Sequence, residues 1–255
     1  MAAGMNGKTA VVTGATSGMG RATALGLARL GADLALVASD EARGEATMRE
    51  VEAAGAGRVF LFVADMASLG QVRRVAGDLA TRLERIDVLV LDAGPVHATF
   101  LLTNLLLPKL EASAPARVVT VASGRSRRTS LLFAAELARR LAGSGVTSNS
   151  LQPGEGATGP GRGDLGWFRS AVVRLAPFLG AHRKGARTTL HLAASPEVEG
   201  VSGRHFRDSR PTRHSRAALD RVVARRLWRS LARSTGLEAA PARLASRART
   251  AILAP

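Results

Sequence analysis

Three glycines carry the chemistry most open to reading in this 255-residue chain. Gly14, Gly18 and Gly20 stand in the run Thr13-Gly14-Ala15-Thr16-Ser17-Gly18-Met19-Gly20, directly after the apolar stretch KTAVVT at 8–13 and directly before a helical pattern. Such a turn lets the backbone approach a pyrophosphate with no Cβ in the way, and the amides at the helix start then receive the negative charge. The spacing Gly-x-x-x-Gly-x-Gly differs from the commoner Gly-x-Gly-x-x-Gly array, and simple turn punctuation is the alternative reading. The placement between a strand and a helix, with the strand DLALVA one helix later, favours the phosphate cradle. Other chemistries fall away. The chain has no cysteine, hence no thiolate nucleophile, disulfide or Cys-ligated metal. Its five histidines, at 97, 182, 191, 205 and 214, never fall three or four apart on one helix with an acidic partner, which speaks against a zinc hydrolase. There is no tyrosine either.

The elements that must position the turn follow from periodicity. After the first strand at 8–13, helical spacing runs from about Ser17 to Leu30, and Gly31 closes that helix. Strands are expected at 33–38, 58–64, 86–92, 117–122 and 146–151. Helices are expected at 41–54, 68–84, 98–112 and 128–142, the first with a weak point at Gly44. The strands are nearly continuous apolar runs, as in a parallel sheet covered on both faces, so the fold class is α/β with a doubly wound parallel sheet in the order 3-2-1-4-5-6. Past Pro153 the run GEGATGPGRGDLG reads as a mobile loop. Helices at 165–179 and 183–194 follow, and VSGRHF offers a last short strand. ALDRVVARRLWRSLARSTG, 218–236, is an amphipathic helix whose polar face is almost wholly arginine, read as solvated. Residues 1–212 are thus expected to form one dinucleotide-binding domain of Rossmann type with an embedded, truncated substrate site. Residues 213–255 form an Arg/Ala-rich helical extension with a frayed basic tail.

The glycine turn resembles the cofactor loop of the short-chain dehydrogenase/reductase family, and other segments agree with it. Asp92-Ala93-Gly94 is similar to the family's Asn-Asn-Ala-Gly segment, with Asp92 in place of the second asparagine. Val63-Ala64-Asp65, Val121-Ala122-Ser123 and Asn149-Ser150-Leu151-Gln152-Pro153-Gly154 also match, so that the resemblance spans roughly residues 8 to 206. LLTNLLLPKLEASAPARVV, ELARRLAGSGVTSNSLQPG and LHLAASPEVEGVSGRHF resemble the retinol dehydrogenase-like and protochlorophyllide reductase-like branch. The resemblance implies NAD(P)-dependent interconversion of a carbonyl and an alcohol. It implies cofactor contacts at Gly14, Thr16, Ser17, Gly18, Met19, Gly20, Ser39, Arg43, Asp65, Ala93, Gly94, Pro153 and Gly154. Asp65 matches the residue that contacts the adenine edge, or caps the helix that follows it.

The family's acid/base residue is a tyrosine, aided by a lysine four positions later and an upstream serine. A neighbouring ammonium depresses the phenol so that it exchanges a proton with an alkoxide near neutrality. Matching SRRTSLLFAAELARR to that helix puts Arg127 where the lysine belongs and Ser123 where the tyrosine belongs, while Ser123 also matches the upstream serine. A segment between the fifth strand and the active-site helix is therefore missing, and a second gap lies between Gly94 and Ala98. Ser123 and Arg127 remain the catalytic-site candidates. Ser123 offers a polar contact to a carbonyl, and Arg127 one to a ribose hydroxyl. Asp92 reads as structural, bonding loop amides, and His97 as a surface histidine or a substitute acid.

Cofactor choice rests on the end of the second strand. NAD-binding members place a carboxylate there; Ala38 fills that position and Ser39 follows, with Arg21 and Arg43 as cations for a 2′-phosphate, so NADP is preferred and NAD remains open. The alternative function is a dinucleotide-binding protein without catalysis. A net charge of +16 suggests nucleic acid, but the arginines are spread over nearly every helix, so the expected partner is a small-molecule substrate and no specific nucleic acid. The apolar stretches 86–91 and 100–108 are too short to span a bilayer and no signal peptide is evident, so a cytoplasmic protein is expected; the oligomeric state stays open.

Overall fold

The apolar runs assemble into one sheet because each is flanked by a helix able to cover it. The structure is a computed structural model and describes residues 4–153, 176–212 and 220–237. Strands β1 (Thr9–Thr13), β2 (Asp33–Ala38), β3 (Val59–Val63), β4 (Val88–Leu91), β5 (Ala116–Val121), β6 (Val146–Leu151), β7 (His205–Arg207) and β8 (Arg210–Pro211) lie in the order β3-β2-β1-β4-β5-β6-β7-β8. The first seven pair in parallel, and β8 returns antiparallel on β7. The fold is a doubly wound Rossmann-like sheet, as expected, extended by the VSGRHF strand and by β8, a two-residue addition too short to carry a periodic signal.

Seven α-helices cover the sheet among the described residues. They are α1 (Gly18–Ala28), α2 (Glu41–Ala53), α3 (Leu69–Arg82), α4 (Val96–Ala112), α5 (Arg127–Arg140), α6 (Ala176–Ala194) and α7 (Arg221–Ser234). One apolar layer joins α1, α2 and α6 to the sheet through Leu27, Leu34, Leu36 and Leu192. The other joins α3, α4, α5 and α7 through Leu79, Leu106, Phe133 and Trp228. Where helices at 165–179 and 183–194 were expected, α6 runs unbroken through 180–182; residues 165–175 lie outside the described residues. Helix α2 runs unbroken through Gly44. This residue is buried, and a Cβ there would stand 2.6 Å from Leu61 Cδ1, so the glycine sets how closely α2 approaches β3.

The C-terminal helix departs furthest from expectation. Asp220 caps it by accepting from the Val222 and Val223 amides, each at 3.0 Å. Its Arg221, Arg225, Arg226 and Arg229 are exposed, as a solvated face requires. Its apolar face, however, is core. The Trp228 ring meets Phe100 edge-on at 4.8 Å and stacks with Phe133 at 6.0 Å, and the Arg140 guanidinium lies 4.3 Å from its centroid. Arg73 donates to the Thr235 carbonyl just beyond the helix. The basic tail expected to fray, 238–255, lies outside the described residues.

Candidate functional site: the crevice between β1 and β4

The order of strands reverses at β1, which has β2 on one side and β4 on the other, so a crevice opens beyond the carboxyl ends of these strands. The glycine turn fills the floor of that crevice. Gly14 sits at φ +68° and its N–H donates to the Val37 carbonyl at 3.1 Å. A Cβ on Gly14 would stand 2.6 Å from Ala93 Cβ, so only glycine lets the turn pack under the β4 exit. Gly20 is equally constrained: a Cβ would collide with the Gly14 carbonyl and come within 2.9 Å of an Asp92 carboxyl oxygen. Thr13, which the sequence reading passed over, ties the two strand ends together. Its hydroxyl accepts from the Asp92 N–H at 3.0 Å and the Ala93 N–H at 3.2 Å, and donates to the Val90 carbonyl at 3.4 Å. Its signal was its place immediately before Gly14.

Ser17 precedes α1 with extended backbone and makes no side-chain cap, and no acid stands in the first helical turn. The first amides of α1 therefore lack a local acceptor, with one exception. The Gly20 N–H bonds the Asp92 carboxylate, so the expected anion cradle from Ser17 to Gly20 is shortened by one donor. The amide beside the Asp92 carboxyl belongs to the first turn of α1 and not to a loop. Its carboxyl is enclosed although the residue retains some exposed surface. Burial raises its pKa to about 7, and the Gly20 N–H only partly offsets that shift.

Around this turn, Thr16 and Gly18 are half-buried, Ser17 is exposed and Met19 packs into the core. Gly94, at φ +99°, leaves no room for a Cβ beside Met66. At the β2 end Ala38 is buried, while Ser39, Asp40 and Arg43 are exposed, and Asp40 accepts from the Arg43 N–H at 2.8 Å as the cap of α2. Arg21 was a candidate cation for this end, but the structure turns it away: its Nε donates to Glu50 at 2.7 Å across α1 and α2. Asp65 is exposed and does not cap α3. It accepts from the Ala67 N–H at 2.8 Å, and Ser68 is the cap. Pro153 is buried after β6, and Gly154 lies outside the described residues.

The catalytic side is sparse. Val121 ends β5, and a single 3₁₀ turn over Gly124–Ser126 leads directly into α5, so strand and helix are joined with no intervening segment. Ser123 is half-buried. Its carbonyl accepts from Ser126 Oγ at 3.2 Å, and its hydroxyl has no partner among the described residues. Arg127 opens α5 and is exposed, and no hydrogen bond joins it to Ser123. His97, the second residue of α4, is also exposed.

The family model described as short chain dehydrogenase matches residues 8–96, from the residue before β1 to the start of α4. Retinol dehydrogenase 14 of Mus musculus is 36% identical over 282 aligned residues, covering 88% of this chain and 84% of that protein. The chain belongs to the short-chain dehydrogenase family. That aligned length exceeds the 255 residues of this chain, so the relative carries segments that it lacks. Among solved structures, an uncharacterised protein from Mycobacterium paratuberculosis is similar at 29% identity and TM-score 0.71, over 92% of this chain and 96% of that one. A short-chain oxidoreductase from Pseudomonas aeruginosa PAO1, described as NADPH-bound with an atypical catalytic centre, is similar at 25% identity and TM-score 0.65, over 80% and 96% of the two chains. No helix among the described residues is long and apolar enough to cross a membrane.

Proposed function

We propose that the protein binds NADP(H), and NAD(H) more weakly, in the crevice between β1 and β4, and that its carbonyl reduction is absent or very weak. The observation that carries the binding half is the turn at Gly14 and Gly20. Side chains would fill it, and it points α1 amides without a local cap at the switch point of the sheet. The residues present fit a dinucleotide: Gly14 and Gly18 shape the turn, the amides of Ser17 to Met19 receive the pyrophosphate, and Ala93 and Gly94 wall the ribose. NADP is preferred because the buried Ala38 offers no carboxylate to ribose hydroxyls, whereas Arg43 is exposed on the first turn of α2.

When bound, the cofactor supplies a hydride. The chain's part is then to orient a carbonyl and deliver a proton, and for the second task it is poorly equipped. Positioned general acid/base groups contribute about 100 to 10,000-fold, and they must lie within hydrogen-bond reach at a suitable pKa. No tyrosine exists anywhere in the chain to be brought in by folding. Ser123 offers its unpartnered hydroxyl as a polar contact to the carbonyl, Arg127 stays cationic, and His97 is the remaining candidate acid. A residual rate from proximity and orientation is compatible with this site.

The second reading, a dinucleotide-binding protein without catalysis, draws on the same absence of tyrosine. The Pseudomonas aeruginosa relative, with its atypical centre, favours retained chemistry. Titration of the protein with NADPH and NADH, read by fluorescence, tests binding; a folded protein with no saturable binding overturns the proposal. NADPH oxidation against aldehydes, ketones and quinones, with His97→Ala in parallel, tests catalysis. Robust turnover that is equal in both proteins would show that another group supplies the proton.

A further inference from the structure

We propose that Asp92 is a proton-operated gate on the dinucleotide site: neutral, it admits the pyrophosphate to the start of α1, and ionised, it opposes it. This inference rests on the dinucleotide reading above and adds a regulation to that site. Its ground is placement. The Asp92 carboxyl lies against the turn, within 2.9 Å of where a Gly20 Cβ would stand, and the Gly20 N–H acts on it. The same first helical turn is the one that must receive an anion, so a carboxylate here faces the ligand's charge across a single turn of backbone.

Among the described residues nothing nearby neutralises it. Only burial and the Gly20 amide act on this carboxyl, and no cation or second carboxylate among the described residues adds to them. β1 carries no charged side chain, and neither does β4 between Val88 and Leu91. On α1, Arg21 is committed to Glu50. On α4, His97 is exposed at the near end, and Lys109 and Glu111 lie at the far end of the helix. On β5, Arg117 is at the opposite end of the sheet, donating to the Leu192 and Ser195 carbonyls. On α6, Arg187 is exposed and His191 stands 4.0 Å from Glu197. Arg127, at the start of α5, is exposed as well.

With the carboxyl titrating at about 7, the gate operates across the neutral range. Bringing a pyrophosphate close raises the pKa further, so binding takes up a proton wherever the free protein is ionised. Affinity then falls as pH rises past the free-protein value, by up to roughly tenfold per unit of pH, until the pKa of the complex is reached.

The experiment is a titration of the whole protein and of Asp92→Asn with NADH at several values between about pH 6 and about pH 8.5. NADH is chosen because it lacks the 2′-phosphate, which titrates itself. Asparagine keeps the shape and an oxygen acceptor for the Gly20 N–H, and circular dichroism checks its fold. The expected result is wild-type affinity that weakens about tenfold or more towards the alkaline end, a flat profile for Asp92→Asn, and calorimetric proton uptake at about pH 8 in the wild type alone. Equal pH dependence in both proteins, or none in the wild type, overturns the gate while leaving the dinucleotide reading intact. No saturable binding by either protein at any pH removes that reading and the gate together.

Discussion

Strand β4 has an aspartate just outside each end, and the two could hardly be treated more differently. Asp87, before the strand, accepts the Thr9 N–H at 2.9 Å, Lys8 Nζ at 3.1 Å, and Arg85 through Nε at 2.8 Å and Nη2 at 2.6 Å. Burial alone would raise its pKa, but the bonds from Arg85, Thr9 and Lys8 outweigh burial and hold it below the ordinary carboxylate value. Asp92, after the strand, has one amide and, among the described residues, no cation, and burial wins. A carboxylate saturated with donors fastens β1 to β4 and is of no use to a ligand. One left short of partners is held in a state that a proton or an anion can change.

The largest effect that would break this comparison lies at the carboxyl end. Gly14→Val puts a branched side chain at positive φ against Ala93, and NADPH affinity is expected to fall by about 100-fold or more, measured by fluorescence titration. Retention of wild-type affinity would mean that the turn is not the cofactor site.

At the other end, Asp87→Ala leaves the Thr9 amide unsatisfied and Lys8 and Arg85 without their shared partner. Urea unfolding at neutral pH should show a loss of about 2 kcal/mol with dinucleotide affinity unchanged. The lowered pKa of Asp87 fixes the sign: its contribution is present above the ordinary value of 3.8 and disappears as pH falls through the folded value below it.

The most discriminating effect is the opposite pH slope at Asp92. Its raised pKa makes its contribution complete below 3.8, diminishing from there to about 7 and absent above. Asp92→Asn is therefore expected to gain stability over the wild type across that window by at most about 1.4 kcal/mol per pH unit, followed by denaturation at stepped pH. Identical curves for the two proteins would place Asp92 in contact with water and end the contrast with Asp87.

The sequence alone determined the sheet and what its chemistry lacks. Continuous apolar runs between helical patterns specify a buried parallel sheet because both properties are local, and the glycine spacing marks the turn because only glycine permits it. The absence of tyrosine is a fact of composition that no folding can amend. Direct passage from Val121 through one 3₁₀ turn into α5 agrees with the segment judged missing from the sequence. Tertiary structure decided the rest. Arg21 chose Glu50, 29 residues away, over the cofactor end of β2, and Trp228 found Phe100 and Phe133 across the fold, turning an arginine-coated helix into part of the core. Asp87 and Asp92 are the same residue type flanking one strand. Their opposite pKa shifts follow from the donors and the burial that surround each carboxyl, and these come together only when distant parts of the chain meet.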